Sequence, residues 1–260
     1  MHMRTKKWAR PELHACEYYT DGGESLRGKW RETFSRPERP LHLELGCGKG
    51  VSTAQMIADH PEINYVAADL SADVLGTARR NIAAACGDHP ANARLLQTDI
   101  CMIRKVFAPE DRVERIYIHF CNPWTEHPKH EKRRLTHPRQ LMQYREFLVP
   151  GGEIWFKTDD DTLFLDSLVY LDLCGFECRG LTHDLHASGF QPNYITEHEA
   201  KFTALGVPIK FGIFRMKQGP EGFDPIRYRL TPGVRQRALE RLDREKAFEN
   251  VSSTEIMQSK

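Results

Sequence analysis

A glycine-rich segment follows the first apolar run of the chain, at residues 44–50 (ELGCGKG). Glycines at this spacing allow a tight turn and let the backbone approach a ligand closely. The G-x-G-x-G spacing differs from the G-x-G-x-x-G pattern of dinucleotide-binding proteins. The acidic Glu44 before the first glycine favours a cationic or hydrogen-bond-donating ligand over a pyrophosphate. Taken alone, the segment is also compatible with a turn that binds nothing.

Two further acids follow predicted strands downstream of this loop. Asp69 ends the second strand, where a carboxylate can hold both ribose hydroxyls of a nucleoside. Asp99 follows the third strand and is placed to meet an adenine amino group. Ligands of open α/β sheets bind at the carboxyl ends of the strands. The ordered set predicts S-adenosylmethionine as cofactor, with contacts from Glu44, Gly46, Gly48, Asp69 and Asp99.

A polar and aromatic segment, residues 122–124 (NPW), comes at the end of another predicted strand, and the cationic segment 129–134 (KHEKRR) follows it. Trp124 is either a platform on which a flipped base stacks or a core residue. Basic side chains here and at the N-terminus are predicted to contact RNA phosphates. The predicted phosphate contacts are Arg4, Lys6, Lys7, Lys132, Arg133 and Arg134. A solvated charged surface is the alternative for both groups.

The elements that would position these residues alternate along the chain. Apolar runs predict strands at 41–45, 64–69, 94–98, 116–120, 153–157, 176–181 and 209–216. Helical spacing predicts helices at 51–59, 72–86, 138–147 and 162–174. Strands that alternate with helices imply an α/β fold, a Rossmann-like, mostly parallel seven-stranded sheet with helices on both faces.

Bulk properties limit the remaining possibilities. The chain has 260 residues and a formal net charge of +1, so a nucleic-acid surface requires local segregation of charge. Its seven cysteines show no zinc-binding spacing and indicate a reducing compartment, which we expect to be the cytoplasm. We expect no metal and no membrane span. Three regions are predicted: a basic N-terminal arm and lead-in (1–40), a catalytic domain (41–217) and a charged, partly disordered extension (218–260) with a helix near 234–248.

The chain resembles the bacterial tRNA (guanine-N7)-methyltransferases from about residue 41 to 216. The motifs that carry the resemblance lie at 43–50, 122–124, 130–136, 156–159 and 196–202, and the opening 3–10 is similar to that of firmicute members. The resemblance implies a Rossmann-like methyltransferase fold. It also implies S-adenosylmethionine as methyl donor and a guanosine in the tRNA variable loop as acceptor.

The resemblance also implies roles for individual residues. The cofactor is expected to contact Glu44, Asp69, Asp99 and Asn122, with Asn122 and Asp159 as the catalytic residues. The expected substrate contacts are Lys129, Asp159, Thr196, Glu197, His198 and Glu199. This chain departs from the family in two places: an amide, Asn122, stands where the family usually has Asp, and the lysine after the Pro-Trp pair is displaced. Thr196 and Glu199 also have the spacing of a helix capping box.

The reaction implied by the resemblance does not require a carboxylate at position 122. Guanine N7 carries a lone pair and no proton, so its methylation needs no general base. We therefore predict that the chain is active with Asn122. Three other functions remain open from the sequence: a methyltransferase with a small-molecule acceptor, an NAD-dependent dehydrogenase, and a catalytically impaired tRNA-binding relative. Monomer and homodimer are both compatible with the sequence.

Overall fold

A computed structural model describes residues 5–125, 128–220, 224–225, 236 and 240. Arg4 and almost all of the predicted C-terminal helix lie outside the described residues. The strands are β1 Tyr19–Asp21, β2 Leu41–Leu45, β3 Asn64–Asp69, β4 Ala93–Gln97, β5 Val113–His119, β6 Leu148–Thr158, β7 Phe176–Thr182 and β8 Lys210–Met216. The α-helices are α1 Ala9–His14, α2 Val51–Asp59, α3 Ala72–Cys86, α4 Pro138–Phe147, α5 Asp161–Leu173, α6 Leu185–Ser188 and α7 Glu197–Ala204. Short 3-10 helices lie at Glu24–Leu26, Trp30–Thr33, Ile100–Lys105, Pro109–Asp111 and Pro128–Arg133.

The strands form one sheet in the order β1-β4-β3-β2-β5-β6-β8-β7. Neighbouring strands from β1 through β6 are parallel, whereas β8 runs antiparallel to both β6 and β7. The predicted α/β fold is confirmed, and the described sheet has eight strands where seven were expected. The additional strand is β1, which has only three residues and therefore carries no alternating pattern that sequence reasoning can detect.

Both faces of the sheet are covered, which explains the continuous apolar runs of its central strands. All five residues of β2 are buried. On α3, Leu75, Ala78 and Ile82 are fully buried at helical spacing and turn one face of that helix toward the sheet. One apolar core includes side chains of α4 and α5, and a second includes side chains of α2 and α3. Parallel packing brings the carboxyl ends of β2 to β6 to one edge.

The N-terminal segment, which was expected to be a basic arm, packs against α3. Ala9 is fully buried, and a Cβ atom placed on Gly76 of α3 would lie 2.6 Å from the Ala9 Cβ. The backbone N–H of Lys6 donates to Asp73 Oδ1 at 2.8 Å, and its ammonium donates to the carbonyl of Asp73 at 3.2 Å. The Lys6 ammonium thus has a partner on α3, and its contact with RNA phosphate stays a prediction. Lys7 is exposed.

None of the helices in the described part of the chain has the length and apolar composition that would let it cross a bilayer.

Candidate active site

The glycine loop between β2 and α2 is held against the end of β3. The backbone N–H groups of Gly46 and Cys47 both donate to the carbonyl of Ala68, at 2.8 and 3.0 Å. Gly46 and Gly48 have φ values of 76° and 55°, in the region that favours glycine. The loop therefore needs its glycines for its backbone conformation, and it exposes main chain at the carboxyl edge of the sheet.

Asp69 connects this loop to β3. Its Oδ2 accepts from the N–H of Gly48 at 3.0 Å, and its Oδ1 accepts from the N–H of Ser71 at 2.9 Å. Burial raises the pKa of the Asp69 carboxyl, although these N–H donors act in the opposite direction. Each carboxylate oxygen can accept more than one hydrogen bond, so Asp69 can still bind a diol.

Asp99 lies at the neighbouring strand end. The residue is exposed, and its Oδ1 accepts from the N–H of Cys101 at 2.9 Å at the start of a 3-10 helix. Because β3 and β4 are parallel and adjacent, Asp69 and Asp99 both stand at the carboxyl edge. Both carboxylates are therefore available to a ligand that lies along this edge.

Glu44 occupies a different position from the one the sequence suggested. Its side chain is only 2% exposed and accepts hydrogen bonds from the hydroxyls of Ser52 and Thr53 on α2. Its Oε1 also lies 3.4 Å from Nδ1 of the buried His119. In this arrangement the carboxylate connects β2, α2 and β5, so it fixes the loop from inside. A direct contact between Glu44 and the cofactor stays a prediction.

Asn122 and Trp124 form a local turn after β5. Asn122 is exposed, and its Oδ1 accepts from the N–H of Trp124 at 3.0 Å. Trp124 has a φ of 48° and is half-buried, so its indole is not a core residue. The Arg133 guanidinium carbon lies 5.0 Å from the centroid of the indole, and the ring centroid of His130 lies 5.8 Å from it. An aromatic surface and a cation are thus combined beside the strand end.

The basic segment divides between surface and interior. Arg133 is exposed and Lys132 is half-buried, whereas Arg134 is 2% exposed. An Arg134 N–H donates to Asp166 Oδ2 of α5 at 2.7 Å, and its Nε donates to the carbonyl of Pro123 at 2.7 Å. The prediction that Arg134 contacts phosphate is corrected, because a buried ion pair occupies its guanidinium. Lys129 is exposed.

The helix α7 carries the remaining predicted substrate residues. Thr196 caps this helix, its Oγ1 accepting from the N–H of Glu199 at 3.0 Å, which confirms the predicted N-cap. Glu197 is exposed and lies 2.7 Å from the ammonium of Lys49 in the glycine loop. His198 is also exposed, with its ring centroid 6.1 Å from that of Phe120 at the end of β5. These contacts bring the start of α7 beside the glycine loop and the β5 end.

Glu199 lies inside the protein, where a surface contact with substrate was expected. It is fully buried and accepts from Lys157 Nζ of β6 at 2.9 Å and from Asn193 Nδ2 at 2.7 Å. Nε2 of His186 lies 3.1 Å from Glu199 Oε1, the oxygen that also accepts from Asn193. Burial pushes the pKa of Glu199 upward, but Lys157 and the hydrogen-bond donors outweigh burial, so the net shift is downward. The prediction that Glu199 contacts the substrate directly is corrected, because this side chain lies inside the protein and anchors α7.

Asp159 follows Lys157 at the end of β6. It is half-buried, and its backbone carbonyl accepts from Lys210 Nζ at 3.0 Å. The next residue, Asp160, is the N-cap of α5 and accepts from the N–H of Leu163 at 2.6 Å. Lys210 also pairs with Asp161 at 2.9 Å. Of the three consecutive acids 159–161, Asp160 and Asp161 have structural partners. Asp159, at the end of β6, is the candidate for chemistry.

Residues 38–211 match a family model described as "Putative methyltransferase". A tRNA (guanine-N(7)-)-methyltransferase of Clostridium perfringens is 50% identical over 214 residues, which are 81% of this chain and 97% of that protein. One from Acetivibrio thermocellus is 45% identical over 220 residues, 84% of this chain and 100% of that protein. The chain belongs to the tRNA (guanine-N7)-methyltransferase family.

The fold of this family member is also found among more distant methyltransferases. The crystal structure of 16S rRNA methyltransferase KamB has a TM-score of 0.50 at 10% identity, covering 83% of this chain and 96% of that chain. An antibiotic-related methyltransferase has the same TM-score at 15% identity, covering 69% and 88%. These similarities concern the fold alone.

Lys157 is a buried charge of this tRNA (guanine-N7)-methyltransferase family member to which sequence reasoning assigned no role of its own, although it lies in the motif at 156–159. It is 3% exposed and also donates to Asn193 Oδ1 at 2.8 Å and to the carbonyl of Tyr194 at 2.9 Å. One signal was available: a lysine placed between Phe156 and Thr158 in an otherwise apolar strand needs a buried partner. The sequence does not show which distant acid that partner is.

Proposed function

We propose that this protein transfers a methyl group from S-adenosylmethionine to N7 of a guanosine in the tRNA variable loop. The ion pair between Lys49 and Glu197 carries the proposal, because it shows that the start of α7 lies beside the glycine loop. A cofactor on the loop side and a base on the α7 side would then face each other. The names of the close relatives support the same reaction.

The carboxyl edge fits a nucleoside with a cationic tail. Asp69 is positioned to accept from ribose hydroxyls, Asp99 from an adenine amino group, and the exposed main chain at Gly46 and Gly48 permits close approach. When bound, S-adenosylmethionine supplies an electrophilic methyl group on a sulfonium. The contribution of the protein is alignment, since N7 needs no deprotonation.

Charge placement supplies the second contribution. The acceptor ring becomes cationic as it gains the methyl group, so fixed negative charge near the base lowers the barrier. Asp159 and Glu197 are the carboxylates that we assign to this role, and both also accept hydrogen bonds that select guanine. Asn122 Oδ1, just after the end of β5, adds a neutral acceptor. The exposed Arg133, with Lys129 and Lys132 nearby in sequence, is assigned to the RNA backbone.

The compartment follows from the substrate. We propose that the protein acts in the cytoplasm, where tRNA is modified. All seven cysteines are free, which agrees with a reducing compartment.

Single-turnover methyl transfer tests the proposal. The full chain is mixed with labelled S-adenosylmethionine and unmodified bulk tRNA, and the product nucleoside is identified by mass spectrometry. We expect 7-methylguanosine. A different methylated nucleoside, or cofactor and tRNA binding without transfer, contradicts the proposal. Asp69→Asn serves as a matched variant that weakens cofactor binding and leaves tRNA binding unchanged.

A further inference from the structure

A cavity of about 340 Å³ lies on one face of the sheet, away from the glycine loop. Its walls include His42 of β2, Tyr65 of β3, Tyr117 of β5 and Trp155 of β6. Neither the loop glycines nor the three strand-end residues Asp69, Asp99 and Asn122 belong to its lining, as far as the described residues show. The cavity is therefore distinct from the proposed cofactor edge. Its size is at the lower end of the range for small-molecule sites.

A chain of hydrogen bonds connects Arg115, Tyr117 and His42. Arg115 can only donate, and its Nη1 lies 3.4 Å from the Tyr117 hydroxyl oxygen. The Tyr117 hydroxyl can accept from Arg115 and still use its own proton to donate to His42 Nδ1, 3.2 Å away. Burial lowers the pKa of His42 well below its ordinary value, which favours the neutral ring, and with Tyr117 as the donor its proton is on Nε2. His42 therefore offers a donor that holds no hydrogen bond to the described residues.

Three more polar atoms in these walls are without a hydrogen-bond partner in the described part of the chain, among them Nδ1 of His119. The other two are the hydroxyl of Tyr65, a residue that is 1% exposed, and the Nε of Arg115. Leaving a buried donor without a partner costs free energy, so such atoms in a native protein indicate that something else satisfies them. The Arg115 guanidinium is also stacked 4.1 Å from the Trp155 ring, which holds it in place.

Several walls are aromatic, and His42 Nε2, the Tyr65 hydroxyl and the Nε of Arg115 can each donate a hydrogen bond. We propose that this cavity binds a small planar heteroaromatic molecule whose ring nitrogen or carbonyl acceptors meet His42, Tyr65 and Arg115. Stacking on Trp155 and Tyr117 would supply the apolar contact. At its far end the cavity reaches Lys157 and Asn193, so an occupant also touches the network that anchors α7.

Calorimetric titration with quinazolin-4-one, a fused ring system with both kinds of acceptor, tests the proposal. The titration is made with and without saturating S-adenosylhomocysteine, which would block the cofactor edge. We expect the same affinity in both. Binding that disappears with S-adenosylhomocysteine, or no binding at millimolar probe, overturns the proposal.

Two variants locate the site. Tyr65→Phe removes only the unpartnered hydroxyl, so we expect affinity to fall about three- to tenfold while the unfolding temperature stays the same or rises. Ile63→Trp fills the cavity from its rim and should abolish binding. Tyr18→Phe is the matched control, since Tyr18 lies in the same apolar core but its hydroxyl donates to the carbonyl of Arg79 at 3.2 Å. Unchanged affinity in Tyr65→Phe, together with a lower unfolding temperature, would make the hydroxyl structural and overturn the proposal.

Discussion

Asn122 uses its side-chain oxygen to accept from the N–H of Trp124, a bond that aspartate can make equally well. Asn122→Asp should therefore preserve the turn. Because N7 carries no proton, we expect the single-turnover rate to change by less than about tenfold, well below the roughly 10²- to 10⁴-fold that general base catalysis contributes. A gain of several hundredfold would show that the carboxylate has a chemical role.

Arg133 and Arg134 are adjacent in sequence but differ in burial, which makes them a matched pair. Arg134→Met leaves Asp166 buried without its counter-charge, so we expect the free energy of unfolding to fall by about 3–5 kcal/mol. Arg133→Met should leave stability unchanged and weaken tRNA binding. For Arg133→Met, the slope of log affinity against log salt concentration should be shallower than that of the wild type by about one unit or slightly less. Urea unfolding and tRNA titrations check both, and a reversed pattern would refute the assignment.

At the scale of elements, α7 depends on the Glu199–Lys157 pair between helix and strand. Since folding lowers the pKa of Glu199, its stabilising contribution is fully present above pH 4.5 and is lost as the pH falls below 4.5 through the lowered value. Glu199→Gln should therefore destabilise the protein at neutral pH, and the difference from wild type should shrink on acidification. Urea unfolding across this pH range measures it.

A matched control separates this buried pair from surface charge. Glu17 pairs with His89 on the surface, where both side chains are more than two-thirds exposed, and Glu17→Gln should change stability little. A pH-independent effect of Glu199→Gln would mean that lost packing, and not the ion pair, anchors α7.

The elements differ in how far the sequence predicted them. The bounds of β2, β3, α2, α3 and α4 agree with the predicted ones, because long apolar patterns and flanking turn residues specify them locally. β5 begins at Val113, three residues before its predicted start, because Glu114 and Arg115 are strand residues whose charges are paired. The short elements α1, β1 and α6 depend on tertiary contacts and were not predicted.

The same limit applies to the site. The roles of the glycines and of the strand-end acids can be inferred from their local spacing. The sequence therefore predicted that the loop, Asp69 and Asp99 lie at one edge of the sheet. Arg134 and Glu199 were misplaced because their partners are 32 and 42 residues away in sequence. A charged residue looks the same in a sequence whether water or a buried counter-charge surrounds it.

At the scale of the whole molecule, Gly76 determines how the N-terminal segment sits on α3. A side chain there would meet both the Cβ and the backbone of Ala9, at 2.6 and 3.0 Å. Gly76→Val should displace α1 and cost about 1–3 kcal/mol of stability. Limited proteolysis should then cut within residues 5–14, whereas the exposed Ala84→Val on the same helix should leave them protected. Equal protection in both variants would contradict this packing.

The place of β8 has a consequence for how the protein is made on the ribosome. The C-terminal strand, residues 210–216, lies between β6 and β7, which are both synthesised earlier. Until β8 emerges, β6 exposes an unpaired edge that can pair with another chain. A nascent chain stalled before residue 210 should therefore be prone to aggregate, even though the glycine loop, Asp69 and Asp99 have already been synthesised.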